Sequence, residues 1–290
     1  MIKTIAVIGA GRMGGGIAKN LARDGSFSVS VFDASPVAVQ ACVAAGAREA
    51  KSVADAVADA DLVITSLPTP EIVTAVCHEA VTAGPKDAIW MDVSTIDPGT
   101  AAQLEGFIEA AGRHFVACPL GKGPAQAEAG TLPLFVGGRQ ELLEALGPVF
   151  DCVGDGVHYL GSVEAATSFK IVSNMIGMTN LAVLAEGTAL CRACGVPDDA
   201  FADALQDTGG WSYQAQLRLP WMVAGDFDNR FGVDLAIKDV RLAVDVAARR
   251  GVPVPLGGAA LMQLVSAHSR QWGGQDVDAI YKLVDPGTAV

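Results

Sequence analysis

Lys170 and Asn174 stand four residues apart in an otherwise apolar stretch, with Phe169 before the lysine and Ile171 and Val172 after it. On a helix, residues at that spacing share a face. An ammonium there can serve as general acid to a substrate oxygen during hydride transfer, and the free amine as base in the reverse direction. Local sequence reads equally well as a snorkelling lysine, its stem packed and its head in water. A second constellation lies at the N-terminus. Gly9-Ala10-Gly11-Arg12-Met13-Gly14 is G-x-G-x-x-G, placed directly after an apolar strand over 3–8 and opening a helix over 13–23. In that context Gly9 makes the tight turn, Gly11 lets the backbone approach a pyrophosphate, and Gly14 lets helix and strand pack closely. The helix N-terminus adds unpaired N–H groups and partial positive charge. A strand over 29–32 follows at the βαβ distance and ends in Asp33. An acidic side chain there accepts from both ribose hydroxyls and repels a 2′-phosphate, which favours NAD over NADP.

These residues need a scaffold, and the pattern supplies one. As far as residue 160, apolar strands alternate with helices: strands over 61–66, 88–93, 114–117, 134–136 and 156–160, helices over 36–45 and 141–150, and further helices from Pro70 and Pro98. Ser35, Thr69 and Asp97 precede prolines at three helix starts, as N-caps should. The grammar predicts a doubly wound, mostly parallel sheet, whose strand ends carry the ligand-binding loops. Leu67-Pro68, Ser94-Thr95 and the segment 118–129 are those loops, although capping alone would also explain Ser94 and Thr95. After Gly161 strand signals cease. A long helix over 163–194 leads to helices over 198–206, 234–249, 256–271 and 276–283. Gly195-Val-Pro and Gly251-Val-Pro each end a helix. The expected organisation is an α/β Rossmann domain over 1–162, then the long interdomain helix and an all-α domain over 163–290.

Composition narrows the class of protein. With 290 residues, half of them hydrophobic, the chain supports two domains and a large core. A net charge of -12 without a basic patch argues against nucleic acid as a partner. No targeting segment is expected ahead of residue 3, and no uninterrupted apolar stretch long enough to cross a bilayer, which points to a cytoplasmic protein without a membrane partner. Six scattered cysteines suggest no disulfide framework. Cys191-Arg-Ala-Cys194 falls late in a helical pattern, so its thiols read as buried packing groups. The four histidines show no metal-ligand spacing, and no metal is expected. Trp211, Tyr213, Trp221, Phe227 and Phe231 read mostly as core, with Trp211 and Phe231 as weaker candidates for a pocket wall.

Taken in order, GAGRMG at residues 9–14, SLP at 66–68, DVST at 92–95, ACPLGKGPAQAEAGTLPLFVGG at 117–138, the Lys170/Asn174 pair and LAIKD at 235–239 resemble the β-hydroxyacid dehydrogenases. That group contains 3-hydroxyisobutyrate dehydrogenase, tartronate semialdehyde reductase and sulfolactaldehyde reductase. The resemblance covers essentially the whole chain. It implies Lys170 as catalytic acid/base and Asn174 as a holder of the substrate or the lysine. It also implies Leu67, Pro68 and Thr95 beside the nicotinamide and its ribose, Arg12 and Met13 in the phosphate loop, and Lys238 reaching the cofactor. Homodimers or homotetramers are common in proteins resembling this one.

The departures bear on substrate. Many members carry Ser-Gly-Gly where this chain has Gly121-Lys122-Gly123, so a hydroxyl donor is lost and a cation gained. Sulfolactaldehyde reductases carry arginine at the Lys122 position, which suggests an acidic headgroup held by Ser94, the 121–123 backbone and Lys122. An exposed Lys122 on a surface loop is the plainer alternative. Ahead of Lys170, Glu164 and Ala166 partly replace the usual glycines, and Ser173-Asn174 the usual pair of asparagines. The expected activity is NAD-dependent interconversion of a small hydroxy acid and its semialdehyde. Alternatives are a sulfonated aldehyde as substrate, an imine reductase (against which Lys170 argues), a decarboxylating relative acting on a phosphorylated sugar acid, and a non-catalytic NAD-binding protein.

Overall fold

Residues 1–285 are described in a computed structural model of the chain. They form two compact units, divided between Lys170 and Ile171. The first is built on one eight-stranded sheet. Its strands in chain order are β1 (Thr4–Ile8), β2 (Ser28–Phe32), β3 (Arg48–Glu49), β4 (Leu62–Thr65), β5 (Ile89–Asp92), β6 (His114–Ala117), β7 (Leu132–Gly138) and β8 (Gly154–Tyr159). Their spatial order is β3-β2-β1-β4-β5-β6-β7-β8. All neighbours pair in parallel except β6 with β7. The order reverses between β1 and β4, the point at which a doubly wound sheet opens its crevice. β1, β4 and β5 are almost wholly buried runs, as expected where helices cover both faces.

The helices of this unit are α1 (Gly14–Asp24), α2 (Pro36–Val43), α3 (Val53–Val57), α4 (Pro70–Ala80), α5 (Pro98–Ala110), α6 (Pro124–Ala129) and α7 (Leu142–Val153). Ser35, Thr69 and Asp97 cap α2, α4 and α5 with their side chains, each ahead of a proline. Two apolar clusters fill the faces of the sheet. One gathers Val7, Ile17, Leu21, Ile64 and Leu146, the other Ile8, Val63, Trp90, Leu104 and Phe115. The segment 118–129, expected to be loop, ends in α6, whose short Ala-rich turn lies between glycines that hide it.

The long helix α8 (Val163–Ala193) places Val163 and Ala166 in the core of the first unit and Met178, Leu181 and Ala185 in that of the second. By length and composition α8 is long and apolar enough to cross a bilayer, although polar residues interrupt it, Asn174, Asn180 and Glu186 among them. Its apolar residues serve two cores, and about a third of its most apolar window is buried in the structure. The Cys191/Cys194 expectation also fails in part. Both thiols are free, but Cys191 is only half-buried and Cys194 is exposed, because they sit where α8 leaves its core.

The second unit continues with α9 (Asp198–Gln206), α10 (Tyr213–Ala224), α11 (Val233–Arg249), α12 (Pro255–Ser269) and a 3-10 helix, Val277–Leu283. The expected α-helix over 276–283 is therefore the tighter form, started by the Asp276 side chain. Helix α10 escapes a reading based on breakers because Pro220 lies inside it. Ser212 caps its start, and Arg218, Leu219 and Met222 are buried along it. Gly195 and Gly251 adopt φ of +82° and +68°, the left-handed conformation that ends a helix.

Candidate active site

The glycine loop is shaped by close approaches. Gly9 has φ +95°, and a Cβ there would lie 2.2 Å from the Ser66 carbonyl oxygen. A Cβ on Gly14 would lie 2.0 Å from the Gly9 oxygen and 2.8 Å from Ser66 Cβ. Both positions exclude any side chain, so the loop and the end of β4 are locked together. Around Gly11, by contrast, no atom lies within 4 Å of where a Cβ would be, and Gly11 and Arg12 are exposed. Met13 precedes α1 and packs on the core.

Asp33 follows β2. Its two carboxylate oxygens accept from the backbone N–H groups of Ala10 at 2.7 Å and Ser35 at 2.7 Å. The carboxylate is thus held at the glycine loop with acceptor capacity to spare, since each oxygen has two lone pairs. Open space beside Gly11, a helix N-terminus and a fixed carboxylate at the end of the second strand together fit a dinucleotide's pyrophosphate and ribose.

The ends of β4 and β5 form one hydrogen-bonded cluster. Buried Asp92 accepts from Thr65 Oγ1 at 2.7 Å and Ser94 Oγ at 2.7 Å, and the Leu67 N–H donates to Ser94 Oγ at 2.9 Å. Ser94 is 5% exposed. Its hydroxyl, expected to meet substrate, is already engaged in positioning Leu67. Leu67 and Thr95 are half-buried, and Pro68 is exposed. In the loop after β6, Lys122 has φ +58°, and its Nζ lies 4.0 Å from Asp155 Oδ2 on β8. Gly123 caps α6. Lys170 is half-buried on α8.

In the second unit, the sequence points to Asn174 and Lys238 but not to the group that joins them. Asp239, 2% exposed on α11, accepts from Asn174 Nδ2 at 2.6 Å and pairs with Lys238 Nζ at 2.8 Å. One buried carboxylate therefore orients the amide and the ammonium. Its only sequence signal is that a buried acid directly follows a lysine in the LAIKD motif. Asp239→Ala is expected to lower the stability of the unfolding step that contains α11 by about 2 kcal/mol, since it removes the buried acceptor shared by the Asn174 amide and the half-buried Lys238 ammonium. Calorimetry at neutral pH checks this, and an unchanged midpoint would show the carboxylate to be dispensable. Trp211, Phe227 and Phe231 pack partly buried against the helical core, whereas Tyr213 is 49% exposed.

Comparison with known proteins agrees with this architecture. Residues 4–161 match the family model described as the NAD binding domain of 6-phosphogluconate dehydrogenase. Residues 165–284 match that described as NAD-binding of NADP-dependent 3-hydroxyisobutyrate dehydrogenase. The 3-sulfolactaldehyde reductase of Escherichia coli K12 is 34% identical over 97% of this chain and 95% of its own. The 2-(hydroxymethyl)glutarate dehydrogenase of Eubacterium barkeri is 29% identical over 99% and 96%. Among solved structures, Mycobacterium tuberculosis 3-hydroxyisobutyrate dehydrogenase with L-serine superposes with a TM-score of 0.90 at 27% identity, covering 98% of this chain and 99% of that one. With both halves matched and relatives aligned end to end, this chain is an oxidoreductase of the β-hydroxyacid dehydrogenase family.

Proposed function

We propose that the protein interconverts a short β-hydroxy acid of the 3-hydroxyisobutyrate type with its semialdehyde, using NAD. The observation that carries this reading is the pairing of Lys170 with Asn174 one helical turn on, whose amide is fixed by buried Asp239. When bound, the nicotinamide supplies or accepts the hydride at the carbinol carbon. Lys170 holds the proton at the substrate oxygen, giving it in reduction and taking it in oxidation. Asn174 orients the substrate hydroxyl or the lysine. Leu67, Pro68 and Thr95 line the nicotinamide side, Gly9 to Gly14 hold the pyrophosphate, and Lys238 contacts the cofactor. Asp33 favours NAD, because its carboxylate repels a 2′-phosphate.

A second reading, a sulfonated aldehyde held through Lys122, is favoured by that cation in the loop after β6 and by the 34% identity to a 3-sulfolactaldehyde reductase. One experiment addresses both. Initial rates are measured with succinic, methylmalonate and tartronate semialdehydes and with sulfolactaldehyde, using NADH and NADPH, on wild type and Lys122→Ala. The expected result is turnover of a carboxylate semialdehyde with at least tenfold preference for NADH, a factor worth about 1.4 kcal/mol. Selective turnover of the sulfonate that is lost in Lys122→Ala would establish the second reading. No turnover of any of the four would sink both.

A further inference from the structure

Leu67 follows β4 and is tied down from two sides. Through Ser66 it adjoins the glycine loop, whose Gly9 and Gly14 leave no room for a side chain against Ser66. Its own N–H donates to Ser94 Oγ at 2.9 Å, which joins it to the end of β5. A hydroxyl has one hydrogen to give and two lone pairs to offer, so its direction decides whether that N–H meets an acceptor. Two acceptors compete for the Ser94 hydrogen: Asp92 Oδ1 at 2.7 Å and the Thr65 carbonyl oxygen at 3.4 Å. The carboxylate is nearer, and hydrogen bonds to a carboxylate are the stronger kind. It is also anchored from the neighbouring strand. Thr65, the register partner of Asp92 across the β4–β5 pair, donates from Oγ1 to the same Oδ1 at 2.7 Å.

We propose that Asp92 is a positioning residue for the nicotinamide: by taking the hydrogen of Ser94 Oγ it turns the lone pairs of that hydroxyl to the Leu67 N–H, and so sets the Leu67-Pro68 wall. The inference rests on the reading that Leu67 lines the nicotinamide side, and it gives Ser94 a part in holding the cofactor's reactive end. Were the hydrogen to turn to the Thr65 carbonyl instead, the lone pairs would swing away from Leu67. The N–H would then lack its acceptor and the turn after β4 would lose its tie to β5. Asp92 is 1% exposed and Ser94 5%, so both act through Leu67 and not by touching the ring. Thr65 separates this role from plain stability. Its hydroxyl binds the same carboxylate oxygen, but the hydrogen bond to the Leu67 N–H belongs to Ser94.

The test is calorimetric titration with NADH and with ADP-ribose, which has every part of the cofactor except the nicotinamide. The proteins are wild type, Leu67→Ala, Ser94→Ala, Asp92→Asn and Thr65→Val, each with its thermal midpoint. Ser94→Ala and Asp92→Asn should weaken NADH about fivefold, the order of one hydrogen bond's net worth, and leave ADP-ribose within about twofold. Thr65→Val should lower the midpoint about as much as Ser94→Ala and yet keep both affinities, because the carboxylate still takes the Ser94 hydrogen. Equal weakening of NADH by Thr65→Val and Ser94→Ala would overturn the proposal, and this comparison stands even if Asp92→Asn does not fold. Parallel losses of NADH and ADP-ribose affinity in Ser94→Ala would overturn it too, since the effect would then lie in the whole dinucleotide site. Leu67→Ala tests the reading beneath it. If that variant keeps the wild-type ratio of the two affinities, Leu67 does not line the nicotinamide and the proposal falls with that reading. If Leu67→Ala weakens NADH selectively and Ser94→Ala does not, the proposal alone fails. No substrate enters these titrations, so failure of the hydroxy-acid reading shows separately, as absence of turnover in wild type.

Discussion

Lys170→Ala is expected to lower kcat by about two to four orders of magnitude, the usual contribution of a positioned general acid, while leaving NADH affinity within about twofold. The separation follows from where the groups lie. The glycine loop and Asp33 are held by Ser66, Ala10 and Ser35, none of which involves α8. Steady-state rates give the first quantity and NADH fluorescence titration the second. Lys170→Arg should rescue little, because a guanidinium keeps its proton and cannot cycle between acid and base. The primary isotope effect from deuterated NADH should rise in Lys170→Ala, as chemistry becomes slower than product release. A loss of kcat below about tenfold would remove Lys170 from proton transfer and leave it as a packed surface lysine. A parallel loss of NADH affinity would mean that the substitution had disturbed the fold instead.

The sheet was the most readable part of the molecule, for a physical reason. A parallel strand buried on both faces is a run of β-branched and aliphatic residues, and Thr4–Ile8 and Leu62–Thr65 stand out from the polar helix surfaces around them. The glycine loop was equally plain, since the contacts at Gly9 and Gly14 tolerate no other residue. Helix α10 was hidden because Pro220 and the residues around it resemble a linker until Arg218 and Met222 are seen to be buried. In the site, Lys170 and Asn174 could be read from spacing because the helix itself makes them neighbours. Asp239 lies 65 residues from Asn174, and nothing local says that the two meet. The Ser94 hydroxyl was legible as a polar group at a strand end but not as one engaged with Asp92 and Leu67. Pairings made by the tertiary fold leave no period in the sequence, so the partners that orient the chemistry are harder to find than the groups performing it.

The second unit carries a charge imbalance that should make it sensitive to alkaline pH. Arg218 on α10, 5% exposed, donates from Nε to Asp276 Oδ1 at 3.0 Å. The other oxygen of Asp276 accepts from the backbone N–H groups of Arg230 and Phe231. Two residues on, Asp278 is fully buried, and among the described residues neither of its oxygens has a hydrogen-bond partner. Burial, with the Asp276 carboxylate next, pushes the Asp278 carboxyl up to about 8, against smaller opposing effects of Arg218 and Arg230 and a small reinforcing one of Asp226. Lys282, in the same 3-10 helix, is itself pulled down by burial and only partly supported by Asp278. An unfolded aspartate titrates near about 4, so between about pH 4 and 8 the unfolded chain sheds this proton while the folded chain keeps it. Stability is therefore full below pH 4, falls as pH rises to about 8, and levels off above it, a loss on the order of a few kcal/mol. Asp278→Asn keeps the shape and removes the titration. Its midpoint is expected to match wild type near pH 4.5 and to exceed it by several degrees at pH 8.5, measured by calorimetry across that range. Parallel midpoint curves for the two proteins would show that Asp278 titrates normally. The direction matters for assaying the enzyme, because oxidation of a hydroxy acid releases a proton and is drawn forward at alkaline pH. The unit that holds Asn174 and Lys238 would be weakest under the conditions that favour that direction most.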